Sequence, residues 1–318
     1  MSKNKLIPGI LISLLFSSSM LLQACRIDSR GRVDENLKVL HEKTFNISPG
    51  KLLKLDASSG DVIVKTWDKP QVYIKVLGNS KAERKVDFSF DATDEYVEVI
   101  ADHPHSFFNW FGNGIRIKFE ITVPTNFDTK IRSSGGDIIM AGINGEQWMR
   151  TSGGDVLVND VNGDLTVSTS GGDVTTTNTK GTSELHTSGG EVKCTNFEGD
   201  LRASTSGGDI ILNGKNSKIY ANTSGGDVTL NYNGENKGID IGTSGGSIKL
   251  RLPADFNASA RLSTSGGSIT CSLNTTNISK ITSSKFEADI NNGGNRLVAK
   301  TSISRINAGD NRLCAGKS

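Results

Sequence analysis

The chain has 318 residues, with 36 glycines, only 6 prolines, 6% aromatics and a formal net charge of +2. So small a charge gives no electrostatic basis for nucleic-acid binding. A composition rich in Gly, Ser, Thr and Asn suits many short strands with tight turns and argues against a helical bundle.

The first residues, Met-Ser-Lys-Asn-Lys, form a charged start, followed by an apolar run over residues 6–22 broken only by Pro8, Gly9 and a few serines. That is the pattern of a signal peptide over residues 1–24, too short in its apolar part to span a bilayer. Its end, Leu22-Gln23-Ala24-Cys25, resembles the lipobox at which bacteria acylate the cysteine and cut before it, with Gln23 as the one atypical position. Lipidation is therefore expected at Cys25, where two or three acyl chains anchor stably and one would not. The residue after the cysteine is Arg26 rather than the Asp that retains lipoproteins in the inner membrane, which favours the outer membrane. Residues 25–38 read as the lipidated tether. Without the first 24 residues 294 remain, near the upper size of one compact core but comfortable for a repeat that grows in one dimension.

Residues 39–128 carry irregular coils that start with a recognisable copy, Leu55-Asp56-Ala57-Ser58-Ser59-Gly60-Asp61-Val62-Ile63-Val64. Within this part the segment His103-Pro104-His105-Ser106-Phe107-Phe108-Asn109-Trp110-Phe111 concentrates aromatics. Phe107, Phe108, Trp110 and Phe111 form a candidate binding loop for sugars, a membrane interface or a protein. The competing reading, slightly preferred, is that they fold back as a hydrophobic cap. His103 and His105 lack a third metal ligand.

Over residues 129–273, Ser-Gly-Gly recurs with its second glycine at Gly136, Gly154, Gly172, Gly190, Gly208, Gly226, Gly246 and Gly267, at spacings of 18 five times, then 20, then 21. After the glycines, Val156 and Val158, Val192 and Cys194, Ile210 and Leu212 and their equivalents alternate as a strand with one buried face. Before the glycines a second strand alternates likewise, at Leu165 and Val167 or Leu201 and Ala203. A unit is strand, polar turn, strand, glycine corner, the corner needing positive φ or close backbone approach. Identical positions at this period stack as parallel rungs about 4.8 Å apart. Residues 290–314 read as a degenerate final rung at Leu297, Ala299 and Thr301. The fold class is thus all-β, a single elongated parallel β-helix or β-solenoid over residues 39–314 with about 18-residue coils, an irregular N-terminal cap and a degenerate C-terminal rung.

The ordered set Ser-Ser-Gly-Asp-Val near residue 60, Ile121-Thr122-Val123-Pro124, the Ser-Gly-Gly-Asp-Val series, Leu252-Pro253-Ala254-Asp255-Phe256 and Asn292-Gly293-Gly294 resembles the DUF4097 family over roughly residues 40–310. The resemblance implies an all-β, exported or envelope-anchored protein related to the toast-rack domains of envelope-stress signalling. It brings an adhesin label and no catalytic residues.

The residues after the corner glycines, Asp137, Asp155, Asp173, Glu191, Asp209 and Asp227, would stack as a ladder of carboxylates. They are the candidate row for Ca²⁺, whose ligands are oxygens. The favoured alternative, with no cofactor, is that each accepts N–H groups at its own corner. Thr151, Thr169, Thr187, Thr205, Thr223, Thr243 and Thr264 fall on inward positions and should bond rung to rung. Cys194 and Cys271 also fall inward, four rungs or about 19 Å apart, too far for a disulfide. Cys314 belongs to the tail. No Ser/His/Asp set, phosphate loop or Cys-x-x-Cys occurs, and the outward residues Thr166, Arg202, Tyr220, Asp240 and Arg261 scatter their charges, unlike the acidic groove of a polysaccharide-acting β-helix enzyme.

The expected function is that of a non-enzymatic lipoprotein of the bacterial cell envelope, a binding or structural solenoid and adhesin. It meets the membrane through its N-terminal lipid, faces the periplasm or the surface, and takes an unidentified protein or glycan ligand and no nucleic acid. The alternative is an envelope-stress signalling or assembly component acting through protein partners in the periplasm.

Overall fold

Each Ser-Gly-Gly unit folds as one turn of a two-sheet β-solenoid. A computed structural model of the chain describes residues 37–103 and 114–310. In a regular coil the chain runs along a first sheet (Val156–Asn162), turns at Gly163 and Asp164, and returns along a second (Leu165–Ser168). It then rounds the glycine corner into the next strand of the first sheet (Val174–Lys180). Successive strands pair in parallel and in register, Val156 against Val174 and Leu165 against Ser183. Among the described residues the first sheet has thirteen strands and the second fourteen.

The interior is a stack of inward side chains from both sheets. Val192, Cys194, Ala203, Ile210, Leu212 and Ala221 are all fully buried. Burying one Val, Leu or Ile contributes roughly 1.5–3 kcal/mol, and the contribution is made against the rungs above and below.

The first-sheet strands contain a device that strict alternation does not show. Asp160, Asn178 and Asn196 occupy the left-handed region at φ 55°, 56° and 57°, which Asn and Asp tolerate better than other residues. The resulting bulge turns a third residue inward, so that Val161, Thr179 and Phe197 are buried. The left-handed residues also bond to one another, Asn178 Nδ2 to Asp160 Oδ1 at 2.7 Å and Asn196 Nδ2 to Asn178 Oδ1 at 2.5 Å. Above Phe197 the next position is Gly214, where a Cβ would stand 2.6 Å from the Phe197 ring. One rung further the buried Tyr232 takes the place, its hydroxyl oxygen accepting the Ser217 N–H at 2.7 Å and lying 2.9 and 2.6 Å from the Ser217 and Glu235 carbonyls, and its ring meeting Phe256 edge-on.

Spatial order departs from chain order at both ends. The first copy, Leu52–Ala57 and Asp61–Trp67, is flanked on one side by Asp128–Ser133 and Ile138–Asn144 and on the other by Tyr96–Asp102 and Ile117–Pro124. At the other end the rung at Leu297, Ala299 and Thr301 is present, but it is not the last. Strands Arg296–Thr301 and Ile306–Asp310 are inserted between the coil of Ile239–Thr243 and Ile248–Leu252 and the coil of Ala258–Thr264 and Ile269–Cys271. The spacing of 21 between Gly246 and Gly267 therefore joins coils whose strands do not pair with each other.

Antiparallel strands close the stack. Lys38–Asn46 pairs with Gln71–Gly78, which pairs with Ile117–Pro124, and Asp87–Ala92 pairs with Tyr96–Asp102. The short helix Ser80–Lys85 lies between them, capped by Asn79 Oδ1 accepting the Ala82 N–H at 3.0 Å. At this end His41 packs against Phe88 and Phe90 at 4.9 and 5.3 Å, and burial, then Lys43, lowers its pKa. The hairpin Thr275–Ile281 and Lys285–Ile290 lies on the opposite end of the second sheet.

Cys194 is fully buried, and Thr176 Oγ1 donates to its sulfur at 2.9 Å. Burial outweighs the Thr176 and Thr179 bonds and pushes the thiol up to about 11. Because the folded value is raised, the stabilisation is fully present below the unfolded thiol's pKa and is lost as pH rises through about 11. A maleimide at neutral pH is expected to leave Cys194 unmodified in the native protein and to modify it fully in guanidinium. Rapid native labelling at this residue would contradict the packing. Cys271, on the edge strand, is only partly buried, and the inserted coil puts it five rungs from Cys194, about 24 Å rather than 19 Å.

Candidate functional site

Two ladders run along the glycine corner. From Thr151 to Thr243 each threonine donates to the carbonyl of the preceding corner's second glycine, Thr169 to Gly154 at 2.9 Å and Thr187 to Gly172 at 2.7 Å, while Thr264, stacked on the inserted coil, donates to the Ser304 carbonyl at 2.8 Å. The rung-to-rung bond thus runs through a glycine carbonyl rather than between hydroxyls. In the acidic ladder, Asp137 Oδ1 accepts the Asp155 N–H at 2.9 Å, and Asp155 and Asp173 accept from Asp173 and Glu191 at 2.9 and 2.7 Å. Asp209 Oδ1 accepts the Asp227 N–H and Asp227 Oδ1 accepts the Ser247 N–H, both at 2.7 Å. The aspartates of the row therefore bond to the corner one rung on, not to their own, and the row starts a coil earlier, at Asp61, which accepts from Asp137 at 3.0 Å. Among the described residues no group of three or more His, Cys, Asp or Glu is arranged to hold a metal ion.

The remaining chemistry lies on the outward face of the second sheet. Alternation sends every other residue outward, and parallel register aligns these residues into columns. One column carries Lys130, Trp148, Thr166, Glu184, Arg202, Tyr220 and Asp240. The column beside it carries Arg132, Arg150, Ser168, His186, Ser204 and Asn222. Tyr220 is 41% exposed, and the Arg202 guanidinium sits 4.6 Å from its ring centroid. His186 Nδ1 and Ser204 Oγ lie 2.9 Å apart. Arg296, brought in by the inserted coil, pairs with Asp240. Glu184, Arg202, Lys218, Tyr220, Asp240 and Arg296 line an open cleft of about 630 Å³ on the turn side of this face.

Cys25, Phe107, Phe108, Trp110, Phe111, His105 and Cys314 lie outside the described residues. The structure does bring together the outward residues Arg202, Tyr220 and Asp240, which the sequence pattern left scattered. Trp148, Lys130, Arg132 and Arg150 were missed as a group. The signal was available in the outward half of the alternation, because 130 and 148 stand one 18-residue period apart. Arg296 had no such signal, since nothing in the chain order announces the insertion.

The family model for Toastrack DUF4097 matches residues 51–303. The chain belongs to the DUF4097 family. Solved structures similar to this family member include a proposed adhesin of Bacteroides fragilis NCTC 9343, at 12% identity and a TM-score of 0.42, covering 86% of this chain and 97% of that one. A proposed lipid-binding protein of Parabacteroides distasonis ATCC 8503 is 14% identical with a TM-score of 0.46, covering 86% and 97%. A proposed cell adhesion protein of Clostridium sporogenes ATCC 15579 is 13% identical with a TM-score of 0.26, covering 86% and 100%. No curated protein matches the chain.

Proposed function

We propose that this DUF4097 protein is a non-enzymatic, lipid-anchored binding protein of the bacterial cell envelope that acts in adhesion. The observation that carries the reading is the outward face of the second sheet, where a rigid parallel scaffold presents the exposed Tyr220, the Arg202 stacked on it and an open cleft. Such a face recognises a ligand by stacking and polar contacts without a nucleophile or a metal. The lipobox ending in Cys25 supports a membrane tether, Arg26 supports the outer membrane, and the adhesion names of similar proteins agree with the role. The bonds that the corner aspartates make to backbone N–H groups give the ladder a structural purpose that needs no Ca²⁺.

Protease treatment of intact and broken cells tests the reading. Digestion of the solenoid on intact cells is the expected result. Protection until the envelope is breached would overturn surface adhesion in favour of action through protein partners in the periplasm.

A further inference from the structure

On the same face, toward the N-terminal end, two cations face one tryptophan and a third stands two residues along its strand. Lys130 and Arg132 stand on the strand Asp128–Ser133, and Trp148 and Arg150 on its parallel neighbour Gln147–Arg150. Lys130, Arg132 and Arg150 are exposed, and Trp148 is half-buried between the two strands' outward rows. Lys130 Nζ lies 5.8 Å and the Arg132 guanidinium 5.9 Å from the indole centroid, the range of cation–π attraction.

Three other cations of this face are matched by acids, Lys54 by Glu98 at 3.9 Å, Arg261 by Glu287 at 3.4 Å, and Arg296 by Asp240, while Arg202 instead stacks on Tyr220. Among the described residues no ion pair within 4.0 Å joins Lys130, Arg132 or Arg150 to a carboxylate. The two strands are also pinned from inside. Thr129 Oγ1 donates to Gln147 Oε1 at 2.7 Å and Gln147 Nε2 to the Phe127 carbonyl at 2.9 Å, both side chains being buried. The four outward side chains are therefore rooted at fixed backbone spacings, about 6.8 Å along a strand and about 4.8 Å between strands.

We propose that Lys130, Arg132, Trp148 and Arg150 bind a linear acidic polysaccharide, the cations taking its carboxylates and the indole stacking on a sugar ring. The assignment rests on the reading of the protein as a binding module and names the ligand class. Charge sets the sign of the ligand, and the surroundings set its width. Asp128 and Glu146 stand at the turn side of the patch, Asp56 one strand before Arg132, and Glu184 two strands beyond Trp148. An anionic bilayer or a nucleic-acid duplex laid on this face would press phosphates against those carboxylates, whereas a single polymer strand passes between them. Past Trp148 the neutral Thr166 and Ser168, then His186 and Ser204, continue the track with hydrogen-bonding groups suited to sugar hydroxyls.

The test is titration of the purified full chain with polygalacturonate and, as a neutral control, amylose. Polygalacturonate is expected to bind at least tenfold more tightly than amylose, and more weakly as salt is raised. Arg132→Gln and Arg150→Gln should each weaken it about tenfold, the loss of one charge-assisted contact, and Trp148→Ala by a similar factor. Trp148→Phe, which keeps an aromatic ring, should recover part of the loss, with unchanged melting in all four variants. Equal affinity for amylose, no effect of the arginine changes, or binding to phosphatidylglycerol vesicles or duplex DNA in place of polygalacturonate would each overturn the assignment. If neither polysaccharide binds while cells still adhere through the protein, the ligand class is wrong and the binding role stands. If polygalacturonate binds while the solenoid is protected on intact cells, the ligand class stands and the surface role falls.

Discussion

Replacing Gly190 by alanine is expected to cost about 3 kcal/mol, the upper end of what overpacking a tight site costs, whereas the same change at Gly189 stays within about 0.5 kcal/mol. The two residues are neighbours in one Ser-Gly-Gly corner and differ in what lies beneath them. A Cβ on Gly190 would stand 2.2 Å from the Gly172 carbonyl oxygen, and one on Gly189 would meet nothing nearer than 3.6 Å. The Gly172 oxygen cannot move aside freely, because it accepts the Thr187 hydroxyl at 2.7 Å. Gly190 is therefore fixed by close approach between backbones, not by positive φ. Thermal unfolding of the two variants decides the point. A drop of roughly 6 °C or more for Gly190→Ala beside a near-native Gly189→Ala is expected, and equal losses would show that the corner depends on conformation instead.

Ending the chain after Asn292 is expected to release the whole C-terminal end of the solenoid while leaving the regular rungs folded. The missing strands, Arg296–Thr301 and Ile306–Asp310, are the bridge between two coils. Their buried Leu297, Ala299, Ile306 and Ala308 contribute roughly 5–7 kcal/mol by area. Without them the only strand pairing left to Ala258–Thr264 is the antiparallel one with Lys285–Ile290, itself paired with Thr275–Ile281, a small three-stranded sheet whose buried face has lost the rung it packed beside. Limited proteolysis should trim the shortened protein back to the region of Leu252 and spare the rungs before it. Full protection would mean that Ala258–Cys271 docks directly onto Ile239–Leu252 and that the inserted coil is dispensable.

The parts of this fold that were legible in the sequence are those that nearest neighbours determine. An 18-residue period with alternating Val, Ile and Leu specifies parallel rungs, because each side chain meets its own equivalent one period away, as Val156 meets Val174. The inward threonines and Cys194 followed from the same register. The bulge at Asp160, Asn178 and Asn196 was less visible, since it breaks alternation inside a strand and the only sign of it is Asn or Asp recurring where left-handed backbone is needed. The interleaved ends were not legible at all. Arg296 reaches Asp240 and Gly267 stacks on Ser304 through pairings between segments tens of residues apart in sequence, and period alone favours sequential stacking. The outward face suffered from the same limit: its charges look dispersed along the chain and become a surface only when column order is known.

The interleaving confines chain-order irregularity to the two ends, and between Ile138 and Leu252 the strands of each sheet pair in simple succession. The middle of the protein therefore behaves as a ruler held between two fixed fittings. Adding or deleting one 18-residue unit would lengthen or shorten it by about 4.8 Å without altering either fitting. The distance at which the far end is held from the near one is a quantity that unequal crossing-over within the gene can adjust in equal steps, with no new packing solution required at either end.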